Sequence, residues 1–362
     1  MATAPQPPQA IILAGFDYQG GGVDFASIAR NRRARLIAAR PDITVTIMDV
    51  GAGTTAVSAV TPDASGKPVR AVSTTNTHSP VTAANYSTGL RHHTRFDTDP
   101  AGRMSITDLY AAVQSVGADA DTQGTLVEVS IFSHGFWEGP LLVNSDDGNA
   151  GLPARDPDDK DARVTKDFNP PNMTAAQLAG FKAAFATDAF WWSWGCTFTE
   201  SYRQVTHRFV NSSLYRGTPA GGLKDTDTIR FDFPQAMANE IYGDDTTFFP
   251  QTTRVTSSGA TVFKDLVFDR TVKEVKELFL RGARDSYHTA VAKAAGVPAR
   301  GAFLGTYSDY ESNDKRVKLP LMVIPRNVSI YGTNFTRYVN MWVNDLGFTA
   351  DTEGHGYGVY PP

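Results

Sequence analysis

The sequence predicts an α/β fold in three layers, with a mostly parallel central sheet flanked by helices and an elaborated C-terminal half. Three observations carry this. Short apolar runs at residues 10–16 (AIILAGF), 44–50 (TVTIMDV), 125–135 (TLVEVSIFSHG) and 188–196 (DAFWWSWGC) are nearly continuous, as in strands buried on both faces. Helical patterns separate these runs, and a strand, helix, strand order gives a parallel pair. The composition, 41% hydrophobic and 20% charged over 362 residues, is that of a globular chain long enough for a large core.

Each element has its own signal. Residues 1–9 read as a disordered leader before the first strand. Residues 24–41 read as a helix, with Asp24 as N-cap and Pro41 just past its end. Residues 51–102, rich in Thr, Ser, Gly and Asn, read as an excursion with a hairpin around residues 67–77. Ser105 and Asp108 form a capping pattern that opens a helix over 105–118. Residues 136–171 are polar and read as a long surface loop. Helices are expected at 173–186 and 199–214, a loop at 216–230, and a single helix at 271–296. Late strands are expected within 300–312 and 318–328, and the tail from 341 has no assignment. This places an α/β core in 10–230, with 231–362 completing the sheet and adding helices and strands.

Several function classes fall away. A net charge of −4 does not suggest a nucleic-acid partner. No apolar run reaches membrane-spanning length, and the N-terminal run lacks the basic flank of a secretion signal. The single cysteine, Cys196, excludes an internal disulfide and agrees with a reducing, cytoplasmic setting.

That cysteine and His134 each end an apolar run, and in an open parallel sheet ligands bind beyond the carboxyl ends of the strands. A thiol beside an imidazole is a sufficient nucleophile and base. A helix start after Cys196 favours its thiolate. The neighbouring glycines, Gly135 and Gly195, let backbone amides approach a substrate oxygen.

The two blocks, VEVSIFSHG and AFWWSWGC, resemble those of the caspase-like cysteine peptidases. The 62-residue separation of His134 and Cys196 suits the strand, helix, strand segment that family places between them. The resemblance implies a caspase-like fold and cleavage of polypeptide substrates without a cofactor. It also implies His134 as general base, Cys196 as nucleophile, and the amides of Gly135 and Cys196 as the oxyanion hole. The chain departs from caspases, having Trp-Gly-Cys-Thr-Phe around Cys196, and from metacaspases, having Trp194 two residues before the cysteine.

Other patterns in the chain point to different chemistry. IFSHG resembles the nucleophile elbow of serine hydrolases, with Ser133 as nucleophile and His288 or His355 as base, but Ile131 replaces its first glycine. A catalytically inactive module of the same fold is the third reading. The glycine-rich segment 15–25 matches neither nucleotide-binding pattern, and its Asp17 and Asp24 are candidates to contact a basic substrate side chain. His78, residues 91–93 (RHH) and His355 lack zinc spacing, so no metal is expected there. The acidic stretch 145–161 lacks the EF-hand order, so calcium enters only as a possible activator. Arg216 and Lys224, in the 216–230 loop, are candidate self-cleavage points.

Overall fold

The computed structural model describes residues 6–82, 102–145, 147–197, 199–241, 245–250, 254–257, 260–263, 266–309, 321–323 and 339–362. The N-terminal part contains β1 (Gln9–Ala14), α1 (Phe25–Ala39), β2 (Thr44–Asp49), β3 (Thr54–Pro62), β4 (Pro68–Asn76) and α2 (Ile106–Ala118). Next come β5 (Leu126–Phe132), the hairpin β6 (His134–Phe136) and β7 (Gly139–Leu141), α3 (Ala175–Ala183), β8 (Phe185–Ser193), α4 (Glu200–Asn211) and α5 (Ser213–Gly217). Then follow β9 (Thr228–Phe233), α6 (Gln235–Glu240), β10 (Arg254–Ser257), β11 (Ala260–Phe263), β12 (Leu266–Thr271), α7 (Val272–Arg284) and α8 (Tyr287–Ala295). The C-terminal part adds β13 (Ala299–Gly301), β14 (Tyr307–Asp309), β15 (Leu321–Val323), a π-helical turn (Met341–Asp345), β16 (Thr349–Ala350) and β17 (Gly358–Tyr360).

Nine strands form one sheet in the order β16-β17-β13-β8-β5-β1-β2-β3-β4. The five central strands pair in parallel, and the strands added at both edges are antiparallel. Alternation along β1 explains the two cores. Ile11 and Leu13 face a core shared with α2, α3, α7 and α8. Ala10, Ile12 and Ala14 face a second core closed by α1 and the C-terminal Tyr357. The fold is thus an α/β sandwich of three layers, as its apolar runs predict. The aromatic run belongs to the core, since Trp191, Trp192 and Trp194 are all buried.

Local chemistry sets the helix ends. Asp24 caps α1 by accepting the Ser27 N–H at 2.8 Å. Ser105 with Asp108, Thr174 with Gln177, and Thr271 with Glu274 form capping boxes on α2, α3 and α7.

Some expectations need correction. The 271–296 stretch is two helices, because Ser286 caps α8 and Asp285 closes α7. The helix expected to 186 ends at Ala183, since β-forming Phe185 already pairs with Leu126. The helix expected to 214 stops at Asn211, where Ser212 caps the short α5. The hairpin near 67–77 is real but starts earlier, pairing Thr54 with Asn76. The loop at 216–230 gives way to β9 from Thr228. The tail contributes β16 and β17 to the main sheet.

The largest correction concerns 136–171. Its polar residues do not simply face water. Asp159, Lys160, Asp161, Lys166 and Asp167 are buried. Arg155 pairs with Asp167, Arg163 with Asp159 at 2.6 Å, and Lys166 with Asp147. Asp161 accepts the N–H groups of Leu142, Val143 and Ser145. Burial, then the charge of Asp159, pushes the Asp161 carboxyl up. These cations and amides satisfy the buried carboxylates.

Candidate active site

Strands β5 and β8 are neighbours, with Ile131 opposite Ser193, so both chains leave the sheet at one edge. His134 is not the last residue of β5. It opens the β6–β7 hairpin, where it pairs with Leu141. The two exits are in close contact. A Cβ on Gly135 would clash with the carbonyl oxygen of Cys196 and lie 3.1 Å from its nitrogen. A Cβ on Gly195 would lie 2.8 Å from the Ser133 carbonyl oxygen and 3.1 Å from the Gly135 nitrogen. Only glycine permits this approach, which sets the backbone of Gly135 beside that of Cys196.

His134 is held from its far side. Its Nε2 lies 2.9 Å from Asp17 Oδ1, and both side chains are largely buried. A carboxylate accepts, so Nε2 carries the proton and Nδ1 is the basic nitrogen. Tyr18 and Phe25 pack edge-on against the imidazole, at 4.7 and 5.2 Å between ring centres. Burial pushes the His134 pKa below its ordinary value, against the hydrogen bond and charge of Asp17, which raise it. The ring is therefore neutral at neutral pH, as a general base must be. Burial raises the Asp17 carboxyl, but the His134 bond and the N–H groups of Val23 and Gly22 outweigh this and leave it below the usual value. Asp17 stays ionised. The Val23 N–H donates to Asp17 Oδ2 at 3.0 Å, across a turn in which Gly20 and Gly22 have positive φ.

Cys196 sits just before α4 and is half-buried. Its Sγ accepts the backbone N–H of Ser308 at 3.4 Å. Ser308 is fixed in turn. Its hydroxyl donates to the Trp194 carbonyl at 2.7 Å and lies 2.8 Å from the Tyr357 hydroxyl, which also donates to Trp194. Burial first, opposed by Arg203 and reinforced by Cys196 and Glu200, lifts the Tyr307 phenol to about 12.

The structure thus brings His134, Gly135 and Cys196 to one place. It gives Asp17 a different partner from the basic substrate side chain expected of it, since its oxygens face His134 and Val23. Asp24 is a helix cap paired with Arg30. Ser133 is buried, and its hydroxyl donates to the His134 carbonyl at 2.6 Å. His288 is packed against Tyr360 and His355 against Trp194, in the cores of α8 and the C-terminal segment. This geometry gives the serine reading no support. Asp147, Asp159 and Asp161 bind cations and amides, as above, and among the described residues no three His, Cys, Asp or Glu side chains could hold a metal ion. His78 lies 3.4 Å from Asp108, and residues 91–93 fall outside the described residues. No described helix is long and apolar enough to cross a membrane.

Sequence reasoning missed Asp17 as the partner of His134, although β1 neighbours β5 and its following loop must reach the same edge. It also missed Ser308 and Tyr357, which carry no sequence signal. No family model matches the chain, and comparison with curated proteins and with solved structures gives no match.

Proposed function

We propose that the protein is a cysteine endopeptidase of caspase-like type, cleaving peptide bonds with Cys196 and His134. The observation that carries this reading is the shared sheet edge. There the neutral His134, oriented by Asp17, and the strand exit holding Cys196 are locked together by Gly135 and Gly195. Nδ1 of His134 takes the thiol proton, and the thiolate attacks the scissile carbonyl. The amides of Gly135 and Cys196 receive the oxyanion, and the imidazolium, stabilised by Asp17, returns the proton to the leaving amine as the C–N bond breaks; water activated by His134 then hydrolyses the thioester and restores the Cys196 thiol. The reaction needs a reduced thiol, which suits a cytoplasmic setting. Arg216 and Lys224 are exposed, as a self-cleavage point must be.

The test is digestion of a mixed peptide library, read by mass spectrometry. Cleavage that disappears in both Cys196→Ala and His134→Ala is expected. No cleavage by the wild type, or cleavage that survives either substitution, overturns the proposal, and the former favours a non-catalytic module.

A further inference from the structure

A cavity of about 700 Å³ is walled in part by residues that closely follow the two dyad residues in the chain. Its wall starts two residues past His134, at Phe136 and Trp137, and three past Cys196, at Thr199. Tyr202 and Phe249 complete an aromatic lining over α7, with Leu278 and Leu304 beneath. Tyr18 and Phe25, which pack against the His134 ring, do not line this cavity.

The charges in the wall narrow what fits. Arg281 also lines the cavity, but its guanidinium is held by Asp245, 2.9 Å from Nε. The Glu200 carboxylate is held by Arg203 and Gln204. Asp285, also in the lining, is exposed and lies 3.6 Å from the likewise exposed Arg284. Among the described lining residues Arg281 is the one cation, set against the three carboxylates of Glu200, Asp245 and Asp285. Mostly apolar pockets of roughly 300–1,000 Å³ with a few polar groups are typical small-ligand sites.

We infer that this cavity is a specificity pocket for a large apolar substrate side chain, an aromatic ring above all, and that it rejects Asp and Glu. The inference rests on the peptidase reading for its occupant, a residue flanking the cleaved bond.

The test separates the two claims. Cys196→Ala protein is titrated calorimetrically with two series of hexapeptides, in which one of the two central residues is Phe, Asp or Lys. In at least one series the Phe peptide is expected to bind at least tenfold more tightly than the Asp peptide. Trp137→Ala is expected to cut that ratio severalfold. Asp285→Lys, at an exposed position whose backbone N–H still closes α7, is expected to narrow it by strengthening Asp binding. Equal binding of all peptides, absence of binding, tighter binding of Asp or Lys, or a ratio indifferent to both substitutions overturns the pocket. Cleavage of the same peptides by wild-type protein reports on the dyad independently of these affinities.

Discussion

Replacing Asp17 tests the role proposed for His134 as a base. Asp17 Oδ1 is 2.9 Å from His134 Nε2, and the two side chains are 12% and 16% exposed, so solvent screens the contact little. A hydrogen bond to a charged partner is worth about 1.5–3 kcal/mol. At about 1.4 kcal/mol per tenfold in rate, Asp17→Ala should slow the reaction of Cys196 about 10- to 100-fold. Asp17→Asn keeps an acceptor but loses the charge, and should fall between. The pH dependence has a definite sign. The bond and charge of Asp17 raise the His134 pKa against burial. Removing them lowers it further, so the acid limb of the rate profile moves to lower pH while the plateau drops. The assay is iodoacetamide alkylation of Cys196 followed by mass spectrometry across pH, with no competing thiol in the chain. An unchanged plateau and acid limb in Asp17→Ala, in protein that melts like wild type, would refute the orienting role.

Three further outcomes follow from the packing. Gly135→Ala places a methyl against the Cys196 carbonyl, and because that neighbour is backbone the strand exits must separate; alkylation should lose its His134 dependence, measured against the same variant carrying His134→Ala. Arg32 pairs with Glu128 at 2.7 Å with both side chains buried, so Arg32→Met strands a buried carboxylate and should cost about 3–5 kcal/mol in urea denaturation. Burial holds the His288 pKa at about 3. Its stability contribution is complete above the ordinary value of 6.5 and is lost as pH falls toward 3, at up to about 1.4 kcal/mol per pH unit. His288→Phe should flatten that part of the stability curve, and the difference between the two curves removes the titration of Asp161, present in both proteins.

Much of this architecture is legible in the chain because it rests on local chemistry. The apolar runs mark β1, β2, β5 and β8, and Asp24 and the Ser105–Asp108 pair mark helix starts. His134 and Cys196 could be placed on one edge because parallel strands end on one side. What escaped depends on long-range contacts. Asp161 looks solvated in sequence but accepts amides 16 to 19 residues away. Asp17 meets His134 across 117 residues, and Ser308 meets Cys196 across 112. The division of 271–296 was readable, since Ser286 is a good cap, but the helical pattern on both sides masked it.

The most direct measurement is the rate at which iodoacetamide labels native Cys196 relative to a free model thiol, with and without His134→Ala. Labelling faster than the model thiol, slowed at least tenfold by the substitution, is the predicted result. Labelling slower than the model thiol and indifferent to His134 would make Cys196 a packing residue and contradict the dyad.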